Sequence, residues 1–179
     1  LTTPVLRCLK KQLPEAEIHY LTKKNFRSIL ENNPYVSKIH TIEKDVSEIA
    51  LALKEENFDE VIDLHNNLRT LQTKLLLRKR SSTFKKLNFR KWLLVRFKIN
   101  VMPNLHVVDR YLETVKHLGI KNDGQGLDYF IPEKDRVSES ELPTSHMAGY
   151  VAVVIGASYY TKKMPLHKLR ELCKKIEYP

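Results

Sequence analysis

The sequence predicts an α/β fold built on a Rossmann-like, mostly parallel sheet. Residues 150–155 form a continuous apolar, β-branched run, which is typical of a strand covered on both faces. Between residue 3 and about residue 79, helix-like and strand-like segments alternate along the chain. The connections between these segments are short, and an alternation of this kind favours parallel βαβ units.

Local signals predict the individual elements of the first half. Thr3 can cap a helix whose first residue is Pro4, because proline suits that position. Asp45 followed by Glu48 resembles a capping box that opens a further helix. Apolar alternation and apolar runs indicate the strands, and the helices lie between them. The expected strands are residues 17–22, 37–42 and 59–64, and the expected helices after the first are residues 25–31, 45–57 and 68–79.

The second half begins with a basic region and ends in a separate domain. Gly119 is expected to close a helix at its C′ position. Proline, serine and glutamate are frequent in residues 133–148, which we interpret as a linker. The predicted domains are therefore residues 1–132 and residues 149–179. The other expected elements are a short strand at residues 81–87, a helix from residue 88, a helix at residues 106–119, a strand at residues 128–132, and the strand at residues 150–155 with a helix after residue 165.

Composition indicates a globular protein of the cytoplasm. The chain has 179 residues, of which 42% are hydrophobic, and only 5 glycines. No apolar run approaches the roughly 20 residues that cross a bilayer, and no secretory signal precedes the first helix, so we expect a cytoplasmic protein. Cys8 and Cys173 have no metal-ligand spacing, and we expect buried or half-buried free thiols. No cluster with metal-ligand spacing was recognised, and we expect no metal site.

The positive charge is concentrated in one segment. Residues 64–108 contain 11 Lys and Arg residues and no acidic residue. Removing these 11 from the 31 basic residues leaves 20, against 21 acidic residues. This excess indicates a polyanionic partner or an anionic membrane surface. Within it, Phe89, Trp92 and Phe97 share one helix face, which suits either a membrane interface or packing on the chain's own domain with a solvated basic side.

The loop after residues 150–155 has features of a phosphate site. Gly156 ends the expected strand, Lys162 and Lys163 follow, and Pro165 suits the start of a helix. Free backbone N–H groups, the helix dipole and a lysine together can hold a phosphate. An ordinary βα turn with solvated lysines explains the same pattern equally well.

Two segments carry a family resemblance. Gly156-Ala157-Ser158 followed by Lys162-Lys163-Met164-Pro165 resembles the G-A/T-S/T…K-R/H-W-P segment of the ADP-heptose:lipopolysaccharide heptosyltransferases, glycosyltransferase family 9. Met164 stands where that family usually has Trp. The opening nine residues, LTTPVLRCL, resemble the T-x-P-x-[IL]-x-x-[IL] segment that follows the family's Gly-Asp turn.

The resemblance implies a GT-B glycosyltransferase with two domains, the first binding the acceptor and the second the nucleotide sugar. The implied reaction is an inverting transfer of heptose from ADP-heptose to the lipopolysaccharide inner core, without an obligatory metal or cofactor. The implied catalytic Asp lies in the turn ahead of Leu1, so we expect none in this chain and expect the chain to be inactive by itself. The implied donor-phosphate residues are Lys162, Ser158 and Gly156, and the implied acceptor residues are Arg69, Asn67, Arg110 and His106.

Other interpretations of these residues remain open. Asn67 fits a helix cap as well as an acceptor contact, and Arg110 fits a surface pair with Asp109 or Glu113. The chain as a whole fits another nucleotide-sugar glycosyltransferase of surface polysaccharide synthesis. A basic module that binds a membrane or nucleic acid has less support, because no nucleic-acid motif is recognised. We expect partners to be a nucleotide sugar, a lipopolysaccharide precursor and the inner face of the cytoplasmic membrane, and no nucleic acid.

Overall fold

The computed structural model describes residues 1–176. The chain forms two compact units, Leu1–Ile131 and Pro132–Pro179, and the residues predicted as a linker lie inside the second unit. Among the described residues, no helix has both the length and the apolar content needed to cross a bilayer.

The first unit alternates strands and helices as predicted. Most boundaries differ from the predicted ones by one to three residues. Residues 24–29 and 46–49, and the turn that continues α5 over residues 113–118, are 3-10 helices. The elements are α1 Thr3–Gln12, β1 His19–Lys23, β2 Lys38–Ile42, α2 Ala50–Glu55, β3 Glu60–Asp63, α3 Leu68–Leu77, β4 Arg80–Thr83, α4 Asn88–Phe97 and α5 Val107–Leu112.

The strands are parallel but form two pairs. β1 pairs with β2, and β3 pairs with β4. A cavity of about 540 Å³ is lined by all five residues of β1 and by every residue from 60 to 64. Successive side chains of a strand point to opposite faces, so a cavity that touches every residue runs along the strand edge. The α/β class with parallel strands is confirmed, and this gap along β1 and β3 divides the predicted sheet in two.

Helix α1 supplies the main core. Its apolar stripe packs against α5 and the turn that follows α5, and Ile18, Ile62 and Leu64 pack against the same cluster. Thr3 does not cap the helix as predicted. The helix begins at Thr3, no side chain caps it at Thr2, and the Thr3 hydroxyl accepts a hydrogen bond from the Asp128 N–H at 3.2 Å. The buried members of this cluster are Val5, Cys8, Leu9, Val108, Leu112, Val115 and Ile120.

A buried arginine ties α1 to the end of the first unit. The side chain of Arg7 is only 1% exposed. Its guanidinium donates two hydrogen bonds of 2.7 Å to the Asp123 carboxylate, one of 2.9 Å to the Gly126 carbonyl, and one to Asp128. A hydrogen-bonded ion pair of this kind satisfies a charge that burial would otherwise leave very costly.

The predicted strand at residues 128–132 is not present. Its first residue, Asp128, is held by Arg7 and by the Thr3 hydroxyl, and the segment has no strand beside it. A strand of a sheet needs a neighbour that pairs with its backbone groups, and this segment is instead anchored through Asp128 to α1.

The second unit contains one α-helix, α6 (Leu166–Lys175), and four short 3-10 turns among its described residues. The predicted strand at residues 150–155 is wrong, since these residues form no strand. Val154 is 91% exposed and Ile155 is 62% exposed. No strand lies beside this run in the described part of the unit, so its apolar side chains and backbone groups have no partner that would define a sheet.

The two cysteines differ in their surroundings. Cys8 is a buried free thiol in the α1 core, as predicted, and burial raises its pKa. Cys173 is a free thiol too, but it is exposed on α6, so the prediction of a buried or half-buried side chain is wrong for it.

Candidate functional site at the carboxyl ends of β3 and β4

Asp63 organises the loop that follows β3. Its Oδ1 accepts hydrogen bonds from the His65 N–H at 3.0 Å and from the Asn66 N–H at 2.7 Å. Asn66 adopts a left-handed conformation with φ 51°, which asparagine tolerates better than most residues. The strand therefore ends in a tight turn, and the next residues start α3 at the carboxyl edge of the pair.

The buried Asp63 carboxylate is kept ionised by its neighbours. Burial acts to raise its pKa, but hydrogen bonds, first from the Asn66 N–H, and the nearby Lys74 ammonium outweigh burial and lower the pKa. Lys74 Nζ lies 2.9 Å from Asp63 Oδ2 and donates to the Thr83 hydroxyl at 2.8 Å. Lys74 therefore joins α3 to the ends of both strands.

The ends of β3 and β4 are also joined through Phe84. The Asn66 Nδ2 group donates to the Phe84 carbonyl at 2.9 Å, and the Phe84 N–H donates to the Asp63 carbonyl at 2.8 Å. These bonds hold the loop after β3 beside the first residues after β4.

Arg110 reaches the same edge from α5. Its Nη2 donates to the Lys85 carbonyl at 2.7 Å, and its guanidinium lies 4.8 Å from the centroid of the Phe84 ring. The alternative pairing with Asp109 or Glu113 is wrong for the described residues, because Asp109 accepts from Asn122 Nδ2 at 2.8 Å and no ion pair joins Arg110 to either acid. Arg110 is half-buried, so part of its charge remains open to a ligand.

Asn67 is a helix cap. Its Oδ1 accepts from the Thr70 N–H at 2.9 Å, and the Thr70 hydroxyl accepts from the Asn67 N–H at 2.9 Å. This reciprocal pair starts α3, as the capping interpretation predicted. A contact between Asn67 and an acceptor sugar stays a prediction.

Arg69 follows the cap in the first turn of α3 and is half-buried. In the part of the chain that the structure describes, its guanidinium makes no hydrogen bond or ion pair. Arg69 and Asn67 both line the cavity beside β1 and β3. A guanidinium in such a position offers several donors to a carboxylate or phosphate.

His106 caps α5. Its Nδ1 accepts from the Val108 N–H at 3.3 Å, and the ring is exposed. His106 lies just ahead of α5, and its carbonyl accepts a hydrogen bond from the Arg110 N–H at 3.2 Å. The structure thus brings Arg110 and the loop of Asn67 and Arg69 to the ends of one strand pair, with His106 one turn away from Arg110.

The predicted donor-phosphate residues all lie in the second unit. Gly156 and Ser158 are exposed in the irregular segment before a 3-10 turn, Tyr160–Lys162. Lys162 is exposed, and its Nζ lies 5.4 Å from the centroid of the Tyr159 ring. Helix α6 starts at Leu166, with Pro165 one position ahead of it rather than at its first position. The lysine and the helix start therefore lie close in sequence, and their binding role stays a prediction.

Helix α4 exposes its aromatic residues. Phe89 stacks with Trp92 at 5.8 Å between ring centroids, and Trp92 packs edge-on against Phe97 at 5.2 Å. Trp92 is 52% exposed, and no residue of α4 is buried. This contradicts the interpretation in which the aromatic face packs on the chain's own domain, and it leaves an aromatic, basic helix surface.

One group of candidate metal-binding residues was missed by the sequence analysis. His19, His40 and Glu56 approach one another closely enough to hold a metal ion. Burial, followed by the neighbouring His19, lowers the pKa of His40. The two histidines are 21 residues apart, and no short motif links them; only the pairing of β1 with β2 brings them together.

The comparisons with known proteins agree with the family resemblance. Over 196 aligned residues, the chain is 26% identical to lipopolysaccharide heptosyltransferase 1 from Campylobacter coli, with 98% of this chain and 56% of that protein covered. The chain is similar to a heptosyltransferase in sequence. In fold it matches the crystal structure of the glycosyl transferase family 9 from Veillonella parvula, with a TM-score of 0.70 and 20% identity, over 96% of this chain and 54% of that one.

No family model matches the chain. The chain spans about half the length of the two proteins it matches. The resemblance to family 9 glycosyltransferases, inferred from the first nine residues and from residues 156–165, is confirmed by a relative and by a fold that each cover nearly all of the chain.

Proposed function

We propose that this chain belongs to a glycosyltransferase that transfers heptose from ADP-heptose to the lipopolysaccharide inner core with inversion. The observation that carries the proposal is the similarity to a lipopolysaccharide heptosyltransferase across 98% of the chain. The parallel α/β architecture and the basic residues at the ends of β3 and β4 support it, because open α/β sheets bind ligands at that edge.

The first unit would bind the acceptor. Arg69 and Arg110 would contact the phosphate or carboxylate groups of the acceptor, since guanidinium groups bind both with paired hydrogen bonds. The unengaged guanidinium of Arg69 is available for such a contact among the described residues, and Arg110 is held by Lys85 and Phe84 with part of its charge exposed. His106 and Asn67 would contribute hydrogen bonds at the margin.

The second unit would bind the donor diphosphate. Negative charge develops on the departing ADP as the sugar carbon leaves it, and Lys162 would neutralise that charge. Ser158, the backbone at Gly156 and the start of α6 would add hydrogen bonds to the phosphates. In this proposal the lysine serves the reaction without a metal ion or cofactor, and the general base is a carboxylate from the turn that precedes Leu1 in the family pattern.

Helix α4 would contact the inner face of the cytoplasmic membrane. Its exposed aromatic rings suit the interfacial region, and its basic residues suit anionic headgroups. The acceptor is a lipid, so this contact would bring the acceptor site to its substrate. Tighter binding to RNA than to anionic vesicles at the same salt concentration would instead favour a nucleic-acid partner.

The test is a donor screen with the complete protein that contains this chain. ADP-heptose, ADP-glucose and UDP-glucose would be supplied with a heptose-deficient lipopolysaccharide acceptor, and the product would be followed by mass spectrometry. We expect transfer from ADP-heptose alone. Transfer from another nucleotide sugar would overturn the donor assignment but keep the transferase, and no transfer from any of the three would overturn both.

Variants separate the two binding roles. Lys162→Ala is expected to lower kcat about 100-fold, because the variant loses the ammonium group that would stabilise the negative charge developing on the leaving ADP in the transition state.

Arg69→Ala is expected to raise the KM for the acceptor while leaving the KM for the donor unchanged. Lys79→Ala is the matched control, because Lys79 belongs to the same basic segment but donates to Asn57 at 2.9 Å. An equal rise in the acceptor KM for Lys79→Ala and Arg69→Ala would show that Arg69 contributes only to the overall positive charge and makes no specific contact with the acceptor.

A further inference from the structure

The pairing of β1 with β2 places two histidines on one face. His19 is paired with Lys38, and Leu21 is paired with His40, so the two histidines are offset by two positions. Residues offset by two lie on the same side of a parallel pair. His19 Nδ1 and His40 Nε2 face each other at 3.2 Å.

Glu56 brings a carboxylate to the same point. It follows the last residue of α2, and the chain then leads to Phe58. Glu56 Oε2 lies 3.7 Å from His19 Nδ1, and Glu56 Oε1 lies 3.8 Å from His40 Nε2. The three side chains are largely shielded, with 11% of His19, 8% of His40 and 20% of Glu56 exposed.

These spacings suit a small tetrahedral ion. Zinc lies about 2.0–2.1 Å from nitrogen and oxygen ligands, which puts neighbouring ligand atoms of a tetrahedron roughly 3.4 Å apart. The two nitrogens are 3.2 Å apart, and the carboxylate lies 3.7 Å from His19 Nδ1 through Oε2 and 3.8 Å from His40 Nε2 through Oε1. One ligand atom from each of the three residues lies within 4.8 Å of the other two. A rotation of the Glu56 carboxylate would bring a single oxygen toward both nitrogens.

We propose that His19 Nδ1, His40 Nε2 and one carboxylate oxygen of Glu56 bind a divalent transition-metal ion of the zinc type. Two imidazole nitrogens and a carboxylate form a ligand set that zinc accepts, with water as the fourth ligand. The ion would tie β1 and β2 to the end of α2. The site does not depend on the glycosyltransferase proposal, because none of its three ligands belongs to the proposed substrate residues.

The surroundings of the rings support this assignment. Phe58 packs edge-on against both imidazoles, at 5.2 Å from His19 and 6.2 Å from His40 between ring centroids, and so limits their rotation. Glu17 Oε2 lies 3.9 Å from His19 Nε2, which is beyond hydrogen-bond distance, and the Glu17 side chain is 83% exposed, so Phe58 rather than Glu17 restricts the ring.

Lys38 competes with the ion. Its ammonium donates to Glu56 Oε1, so a cation already contacts one carboxylate oxygen. The Lys38 side chain is 56% exposed and can turn into solvent. The proposal therefore predicts that removal of Lys38 strengthens metal binding, whereas a site built only around the Lys38–Glu56 ion pair would bind no metal in either form.

The experiment uses purified protein treated with EDTA and then dialysed free of the chelator. Zn²⁺ binding would be measured by competition with a chromophoric chelator, and Co²⁺ would be added separately to record its visible spectrum. We expect one ion per chain, an intense tetrahedral Co²⁺ spectrum, at least tenfold weaker binding in His19→Ala and in Glu56→Gln, and tighter binding in Lys38→Met. His167→Ala is the matched control, since His167 is exposed in the second unit, and we expect it to bind as the unaltered protein does.

Folding of each variant would be checked by circular dichroism, and thermal unfolding would provide a second measurement. Zn²⁺ should raise the Tm of the unaltered protein and of His167→Ala, and should not raise the Tm of His19→Ala. His40→Ala is more disruptive to folding than His19→Ala because the His40 ring is buried. The proposal is therefore judged on the result with His19→Ala. Equal Zn²⁺ affinity in the unaltered protein and in His19→Ala, or no binding by the unaltered protein, would overturn the proposal.

Discussion

Two segments were both predicted as strands but differ in structure. Residues 59–64 and residues 150–155 both contain β-branched residues and lead through a polar loop into a helix, although the first segment has three acidic residues and the second has none. The first run contains β3, pairs with β4, and turns into α3 through Asp63 and the Asn67 cap. The second forms no strand, is exposed, and leads to α6 without a side-chain cap. A strand pattern produces a strand only where a neighbour satisfies its backbone and covers its side chains.

The largest difference in stability between the two units should come from substitution of Arg7 in the first unit. We expect Arg7→Met to lower the free energy of unfolding of the first unit by about 3 kcal/mol, because it leaves the carboxylates of Asp123 and Asp128 without their buried partner. Urea denaturation followed by circular dichroism would measure it. Arg136→Met is the control in the second unit, where the exposed pair with Glu133 should contribute less than about 1 kcal/mol. Similar losses for both variants would show that the Arg7 network does not distinguish the units.

A smaller effect is expected from a matched pair of valines. Val115 is 0% exposed in the α1 core, whereas Val154 is 91% exposed. Val115→Ala should cost about 2 kcal/mol through lost burial and a small cavity, and Val154→Ala should have no measurable effect on stability. Thermal melts of both variants would test this. A clear loss of stability in Val154→Ala would mean that residues 150–155 are covered in the protein, and this segment would then no longer differ from β3 in burial.

The acid sensitivity of the first unit depends on Asp123. Hydrogen bonds from Arg7 hold the pKa of Asp123 well below its usual value of 3.8. A depressed pKa in the folded state gives stability that is complete above the usual carboxyl pKa and is lost as pH falls below about 4 toward the folded value. We expect Asp123→Asn to flatten this part of the profile when unfolding is measured from pH 7 to pH 3. A profile unchanged in Asp123→Asn would assign the acid sensitivity to other carboxylates.

The smallest effect is expected at the Asn67 cap. Asn67→Ala should lower stability by about 1 kcal/mol, because the Thr70 N–H at the start of α3 loses its acceptor. Asn67→Asp keeps a capping oxygen and should stay close to the unaltered protein. Chemical denaturation would measure both variants. If Asn67→Ala left stability unchanged but raised the KM for the acceptor, the side chain would act on substrate rather than as a cap.

Most elements of the first unit, and the family resemblance, could be predicted from local patterns. Periodicity placed β1, β2 and β3 and their helices within a few residues, and the Asp45–Glu48 capping box has the predicted hydrogen bonds. The two segments that carry the family resemblance are short, and a relative covering 98% of the chain confirms it. These features depend on residues close in sequence, whose backbone preferences and caps act locally.

Contacts between distant residues could not be predicted in the same way. Arg7 interrupts the apolar stripe of α1, and its partner Asp123 is 116 residues away, so periodicity contains no signal for their pairing. The sequence places two acids, Asp109 and Glu113, close to Arg110. Arg110 instead contacts the Lys85 carbonyl and the Phe84 ring, because α5 packs beside the end of β4.

The sequence alone determined the order of β1, β2 and β3 and of the helices between them, the position of the basic segment and the family resemblance, since each of these follows from residue types at short spacings. Only the tertiary structure decided which runs became strands, which charges were buried together, and that His19, His40 and Glu56 meet at one point. The physical reason is that burial and strand pairing join groups far apart in the chain, and their free energies exceed the local preferences of the residues involved.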